Sequence, residues 1–275
     1  MNAPFSIWSN YYYDCSPEEM VLAFLQDGIH HSEFSSEHAE MLFKRGDDAF
    51  VIGKEFKKFL NENDFHMDQG HIDYTSPICE NENAYEIFCR WVDLFVGMGI
   101  KNAVLHCDSM RNTDIPHEAK VQRNIQTLRK FAAYIQGKNI CICLENLTPM
   151  PQTADELNYI IDEIGSPDFG ICLDTGHLNL CNDKSQRDFI LKAGKRLRAL
   201  HIADNEGMRD QHMMPFGFGT VNFREVGLAL KEIGYEGYFN YEIGGEAGAR
   251  NVPLCLRHEK TKFIRATYDY IMNVE

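Results

Sequence analysis

The run ICICLENL at residues 140–147 decides how the whole chain is read. Its first five residues are apolar without alternation, which suits a strand covered on both faces, as in a parallel sheet flanked by helices. The run then stops on Glu145. A carboxylate in that position costs several kcal/mol, roughly, unless it is paired, hydrogen-bonded or bound to a cation.

The same shape recurs on both sides. Downstream, FGICLDTGH (169–177) stops on Asp174, LRALHIADN (197–205) on His201, and YFNYEIGG (238–245) on Glu242. Upstream, FSIWSN (5–10), GIHHSEFS (28–35), DFHMDQGH (64–71) and NAVLHCDS (102–109) read as strands, with His66 and His106 as polar stops after FH and VLH. Eight such runs alternate with helix-like stretches, the pattern of a (β/α)8 barrel, and the 275 residues match the roughly 250 of that architecture. No linker or low-complexity stretch divides the sequence, so one domain over 1–275 is expected.

Helix signals fall between the strands. Ser16-Pro17-Glu18-Glu19 offers a cap, a proline for the first helical position and early carboxylates, and Thr153-Ala154-Asp155-Glu156 offers a similar start. Gly28, Gly99, Gly137, Gly165 and Gly234 stand where helices should end in a left-handed residue. A doubly wound open sheet would alternate in the same way. Neither its Gly-x-Gly-x-x-Gly turn nor a P-loop is present.

Composition narrows the partners. With 44% hydrophobic and 25% charged residues the chain can bury a large core. A formal net charge of −14 and the lack of a Lys/Arg-rich run disfavour nucleic acid and favour a small-molecule substrate. No stretch reaches the roughly 20 apolar residues of a membrane span, and MNAPFSIWSN lacks a basic segment followed by an apolar one, so a cytoplasmic protein is expected. The nine cysteines, several of them in strand-like runs, read as reduced core thiols; Cys141 and Cys143 alternate along a strand and do not form a Cys-x-x-Cys pair.

In a barrel the strand ends converge on one face, so residues distant in sequence meet there. A lone His or Asp after a strand is ordinarily a cap or a satisfied core group, and Asp174-Thr175-Gly176-His177 alone could be a turn. Capping does not explain why the last four strands all end in metal-competent groups. Two glutamates, an aspartate and several histidines, with few Lys or Arg beside them, call for a divalent metal ion: Mn, Zn, Co or Fe suit this mixed donor set, whereas Mg prefers more oxygen. Trp8, Phe34, Phe216 and Phe218 are candidates for pocket walls, with ordinary packing as their first reading, and Glu33 is a further candidate sugar contact.

At LENL, GICLDTGH, LHIADN, Asp210-Gln211-His212 with Pro215, Gly217 and Gly219, and YEI, the chain resembles the xylose-isomerase-like barrel superfamily. That group holds sugar isomerases, ketose 3-epimerases, inositol-catabolism enzymes and apurinic-site endonucleases. Resemblance to the epimerase-like members implies one metal on Glu145, Asp174, His201 and Glu242. Glu145 and Glu242 would also be the catalytic acid and base, with His177, Arg209, His66 and His106 toward the substrate. Resemblance to the endonucleases implies further ions, one on His66, His106 and Glu145 and another on His177, Asp210 and His212. The familiar Pro-Gly-x-Gly is here Pro215-Phe216-Gly217-Phe218-Gly219, one residue different.

The expected activity is therefore metal-dependent isomerisation or epimerisation of a ketose, sugar phosphate or related polyol, by proton transfer through an enediolate. The alternatives are zinc-dependent phosphodiester hydrolysis at abasic DNA and a sugar-binding barrel without turnover. A homo-oligomer formed through exposed helix faces is expected by analogy with other barrels.

Overall fold

The computed structural model describes residues 3–72, 77–111, 114–182, 185–243 and 252–274. Eight parallel strands lie in the order β7-β6-β5-β4-β3-β2-β1-β8. They are β1 (Phe5–Trp8), β2 (His31–Phe34), β3 (His66–His71), β4 (Asn102–His106), β5 (Cys141–Glu145), β6 (Phe169–Asp174), β7 (Leu197–His201) and β8 (Phe239–Tyr241). The ring closes just past β7. Ile202 donates to the Asn240 carbonyl at 2.8 Å and accepts from the Glu242 amide at 3.1 Å, a parallel bridge between Ile202 and Tyr241. The eight predicted strands are thus all present, each at its predicted place, and the (β/α)8 barrel is the observed fold. Gly244 and Gly245, which end the last quoted run, lie outside the described residues.

The outer layer comprises α1 (Pro17–Gln26), α2 (Ser36–Phe43), α3 (Ala49–Glu62), α4 (Ala84–Met98), α5 (His117–Ile135), α6 (Ala154–Ile164), α7 (Thr175–Asn179), α8 (Gln186–Ala193), α9 (Phe223–Ile233) and α10 (Leu254–Met272). Local chemistry sets their ends. Ser16 and Glu19 form a reciprocal capping box with Pro17 at the first position of α1, and the Thr153 side chain accepts from the Glu156 amide at the start of α6. All five glycines expected at helix ends adopt positive φ. Gly53 on α3 and Gly97 on α4 have a different reason. A Cβ on Gly53 would lie 2.3 Å from the Leu94 carbonyl oxygen, so the two helices touch backbone to backbone.

Most of the core is the shell of Leu, Ile, Val and Phe between strands and helices. A smaller cluster of Val104, Cys143, Cys172 and Ala199 draws one residue from each of β4 to β7. Each stands two positions before His106, Glu145, Asp174 and His201. By the period of two along a strand, these small side chains share a face with those polar residues and form the floor beneath them. All nine cysteines are free thiols, four of them buried, while Cys255 on α10 is exposed. Among the described residues no helix is long and apolar enough to cross a membrane.

Candidate metal centre

The exit ends of the strands carry one continuous polar cluster. Glu145, Asp174, His201 and Glu242 each offer a donor atom, and the four atoms lie within 4.8 Å of one another. Glu145 and His201 are fully buried, and Asp174 and Glu242 nearly so. His201 Nδ1 is 3.3 Å from Glu145 Oε2 and 3.1 Å from Glu242 Oε2. Backbone anchoring places Asp174: its amide donates to Asn146 Oδ1 at 2.7 Å, and its Oδ1 caps α7 by accepting from the His177 amide at 2.6 Å.

Three of these four residues keep a buried donor atom without a hydrogen bond: Glu145 Oε1, Asp174 Oδ2 and His201 Nδ1. Buried polar atoms are normally satisfied, so unsatisfied atoms on three residues whose ligand atoms lie within 4.8 Å of one another fit a cation bound between them. Oxygen and imidazole nitrogen suit a divalent transition metal.

Two further groups adjoin this one. His71, Glu145 and His201 form a second set of converging donors, and His177, Asp210 and His212 a third. Around Glu145, Oε2 lies 3.0 Å from His106 Nε2 and 3.5 Å from His71 Nε2, while Oε1 lies 2.9 Å from His177 Nδ1. In the third group a single oxygen, Asp210 Oδ2, meets His177 Nε2 at 3.2 Å and His212 Nε2 at 3.1 Å. The loop after β7 that carries Asp210 and His212 is closed by paired backbone bonds of 2.9 Å between Asp204 and Met213. Gly219 packs so tightly on Asp204 that an added Cβ would fall 2.0 Å from its carboxyl carbon. That contact explains why the run after Pro215 needs a glycine there.

The charges are mutually dependent. Burial alone would raise Glu145 and Glu242, but the imidazoles more than offset it: Glu145 sits well below the usual carboxylate range and Glu242 falls to about 2. Asp174 goes the other way, to about 7, because burial and the charges of Glu145 and Glu242 outweigh His177. Burial disfavours the charged form of His212, yet Asp210, Glu242 and Asp174 lift it to about 10. The ionised carboxylates therefore favour positive charge beside them.

Not every expected residue is here. His66 is the first residue of β3, in register with His31 at the entrance end of the barrel, where its ring stacks on His31 at 5.1 Å. The strand begins at His66 and runs to His71, so the exit position that sequence reasoning gave to His66 belongs to His71. The run DFHMDQGH itself ends on His71; before His66 stands a single apolar residue, Phe65, which makes no strand for His66 to end. His106, His177, Asp210 and His212 all lie at the exit end. Arg209 is exposed on the loop after β7, lining a cavity of about 500 Å3 with Asp210, Gln211, Met213 and Phe218. Glu33 is fully buried with both oxygens engaged, one near His201 and one by Asn240, so it faces protein groups inside the barrel. Phe34 is core, packed on Phe56 and Phe95. Phe218 is exposed, and Phe216 packs on Phe223 and Tyr270. Trp8 ends β1 with its indole N–H buried and unpartnered.

Over 119 residues the chain is 31% identical to the D-psicose 3-epimerase of Enterocloster bolteae, covering 42% of this chain and 37% of that protein. Over 98 residues it is 26% identical to a probable endonuclease 4 of Mycoplasmopsis pulmonis, covering 32% and 35%. The chain spans about half the length, or less, of the curated relatives it matches. Its fold is that of a D-psicose 3-epimerase solved with D-tagatose from Clostridium cellulolyticum, with a TM-score of 0.79 at 17% identity over 98% of this chain and 99% of that one. The model of the xylose isomerase-like TIM barrel family matches residues 28–259, and the chain belongs to that family.

Proposed function

We propose that this protein is a divalent-metal-dependent epimerase or isomerase of a ketose, a sugar phosphate or a related polyol. The observation that carries the reading is the placement of two glutamates, Glu145 and Glu242, around His201 with Asp174 closing the set. The epimerase relatives supply the substrate class. A cation held by Glu145, Asp174, His201 and Glu242 supplies Lewis acidity toward a substrate carbonyl and its neighbouring hydroxyl.

The chain's own groups then move the proton. One of Glu145 and Glu242 removes it from the carbon beside the carbonyl, and the other returns it to the opposite face, which inverts that carbon. Return by the same glutamate to the neighbouring carbon gives aldose–ketose exchange instead. His177 is placed to meet a substrate hydroxyl if it releases Asp210, since its Nδ1 is already beside the Asn146 carbonyl at 3.1 Å. Arg209 suits a distal oxygen or phosphate, and the Trp8 N–H suits a hydroxyl.

One observation favours a second reading, hydrolysis of a phosphodiester at abasic DNA by clustered metal ions. The groups around His71 and His106, and around His177, Asp210 and His212, complete two further donor sets beside the central one. The readings differ at Glu145. If both its oxygens serve as ligands, both lose basicity to the cations and Glu145 is a poor base toward a carbon acid; if one stays free, Glu145 can be the base. The net charge of −14 opposes a polyanion.

Metal analysis after dialysis, solvent deuterium exchange over a ketose panel and an abasic oligonucleotide assay separate the two. Near one ion per chain, with deuterium entering beside the carbonyl, is expected. Three retained ions with strand cleavage and no exchange would replace the epimerase by the hydrolase.

A further inference from the structure

Glu33 is a fully buried carboxylate with an unusual set of partners. Its Oε1 lies 3.0 Å from His201 Nε2, and its Oε2 accepts from Asn240 Nδ2. Asn240 is fixed in turn, its Oδ1 accepting from Ser6 Oγ at 2.8 Å. Four strands, β1, β2, β7 and β8, thus each contribute one residue to a line that crosses the barrel interior and ends on the back of the His201 ring.

Among the described residues no Lys or Arg pairs with Glu33; the one ion pair it makes is with His201. Its burial is tolerable only if the groups facing it donate hydrogen bonds. The Asn240 amide can donate only through its nitrogen, and His201 must donate through Nε2. A neutral imidazole, the form that binds a metal, presents its other nitrogen as the lone pair when it donates through Nε2. In His201 that nitrogen is Nδ1, which is buried, faces Glu145 and Glu242 at 3.3 and 3.1 Å and is not hydrogen-bonded.

We propose that Glu33 is a positioning residue for the metal: it holds His201 in the tautomer and ring orientation that present Nδ1 to the cation, with Asn240 and Ser6 holding Glu33. The inference rests on His201 being a metal ligand. Carboxylates behind ligating histidines generally fix the ring and raise its basicity, and their loss typically weakens metal binding 10- to 100-fold.

The test uses metal-free full-length protein titrated with Co²⁺ against a competing chelator, with ¹⁵N spectra of the histidine rings recorded on the same samples. Glu33→Gln is expected to weaken Co²⁺ binding by about 10- to 100-fold and to change the His201 tautomer signal. Asn240→Ser, which leaves Glu33 in place but frees one oxygen, should give a smaller loss and a partial change; it carries the test if Glu33→Gln does not fold. Both variants binding within twofold of wild type, with the ring signals unchanged, would overturn the proposal. His201→Ala separates the two levels. Loss of binding there beside normal binding in Glu33→Gln removes the positioning role alone; normal binding in His201→Ala removes the metal-ligand reading and the positioning role together.

Discussion

The two rims of this barrel are built from the same residue types and have opposite characters. At the entrance rim, His31 and Asp68 flank Tyr238, with His66, Asp64 and His30 beyond them; at the exit rim, histidines and acids surround Glu145. The entrance groups are wet: the His66 and Asp64 side chains are 52% and 84% exposed, and the contacts here are loose pairs of 3.6 to 4.0 Å, simple hydrogen bonds and a partly exposed ion pair of 3.0 Å between Asp68 and Lys101. The exit groups are dry at their centre, with Glu145 and His201 fully buried and several polar atoms without a hydrogen bond, while Asp210 and His212 at their edge reach solvent. Charges in water are screened and worth little, whereas buried ones must find a counter-charge. Residue type therefore does not make a site; convergence and desolvation do.

The hardest blow to that contrast would be a functionally silent exit rim. Glu145→Gln and Glu242→Gln should each lower turnover of a responsive ketose by at least about 10³-fold, since each removes a proton-transferring group and weakens the metal set. Steady-state rates with saturating Mn²⁺ or Co²⁺ check this. Retained wild-type rates in both variants would mean that the glutamates are not the acid and base.

Next in size is the dependence of folding on the cation. Metal that binds the folded chain at 100 times its Kd adds about 2.7 kcal/mol, and for a protein of this length that is roughly a 5–10 °C change in Tm. Thermal scans before and after chelation read it. Chelation that leaves Tm unchanged while metal analysis shows complete removal would count against cations as the compensation for the buried exit carboxylates.

A third histidine environment sharpens the comparison by separating burial from charge. His38 on α2 is as buried as His201 but faces the hydroxyls of Ser9 and Ser35, and among the described residues it makes no ion pair with a carboxylate. Burial therefore pushes it down to about 4, against smaller upward pulls from the Cys15 and Tyr12 backbone and Asp14. Above pH 6.5 it is neutral in the folded and unfolded chains alike. As pH falls from 6.5 toward 4 the unfolded chain takes up a proton that the folded one resists, so stability drops, by about 2 kcal/mol at pH 5 from this residue alone. Urea unfolding at pH 7 and pH 5 measures the drop, and His38→Gln should flatten that part of the slope. An unchanged slope in the variant would show that burial is not what perturbs His38.

The barrel was legible because eight strand-like runs each carried their own punctuation, down to Ser16, Pro17 and the glycines at helix ends. Four of the exit residues were legible for the same reason, since an apolar run that stops on Glu145 or Asp174 advertises its end. His71 was not. In HMDQGH the inward and outward positions are both partly polar, so no apolar run marks where β3 starts or stops, and the register had to come from its pairing with β2 and β4. Glu33 was read as a sugar contact because sequence shows only that a carboxylate lies near a strand end. Its engagement by His201 and Asn240 depends on two strands far away in the chain.

The smallest expected effect is the one that most directly tests the contrast, because it concerns the residue that sequence reasoning placed on the wrong rim. His66→Ala removes a half-exposed ring that stacks on His31 and approaches Asp64 at 3.6 Å. An exposed pair of this kind is worth little, and a surface truncation away from caps and cores usually stays within about 0.5 kcal/mol. Turnover and Co²⁺ affinity should be unchanged within twofold, because nothing at the entrance end touches the groups around Glu145. His71→Ala and His106→Ala remove rings 3.5 and 3.0 Å from Glu145 Oε2 and should alter both measurements. The three variants compare one side chain truncated at opposite ends of neighbouring strands, so composition is held nearly constant while burial and convergence change. If His66→Ala proved as damaging as the other two, the entrance rim would be functional, and desolvation would no longer distinguish the two ends.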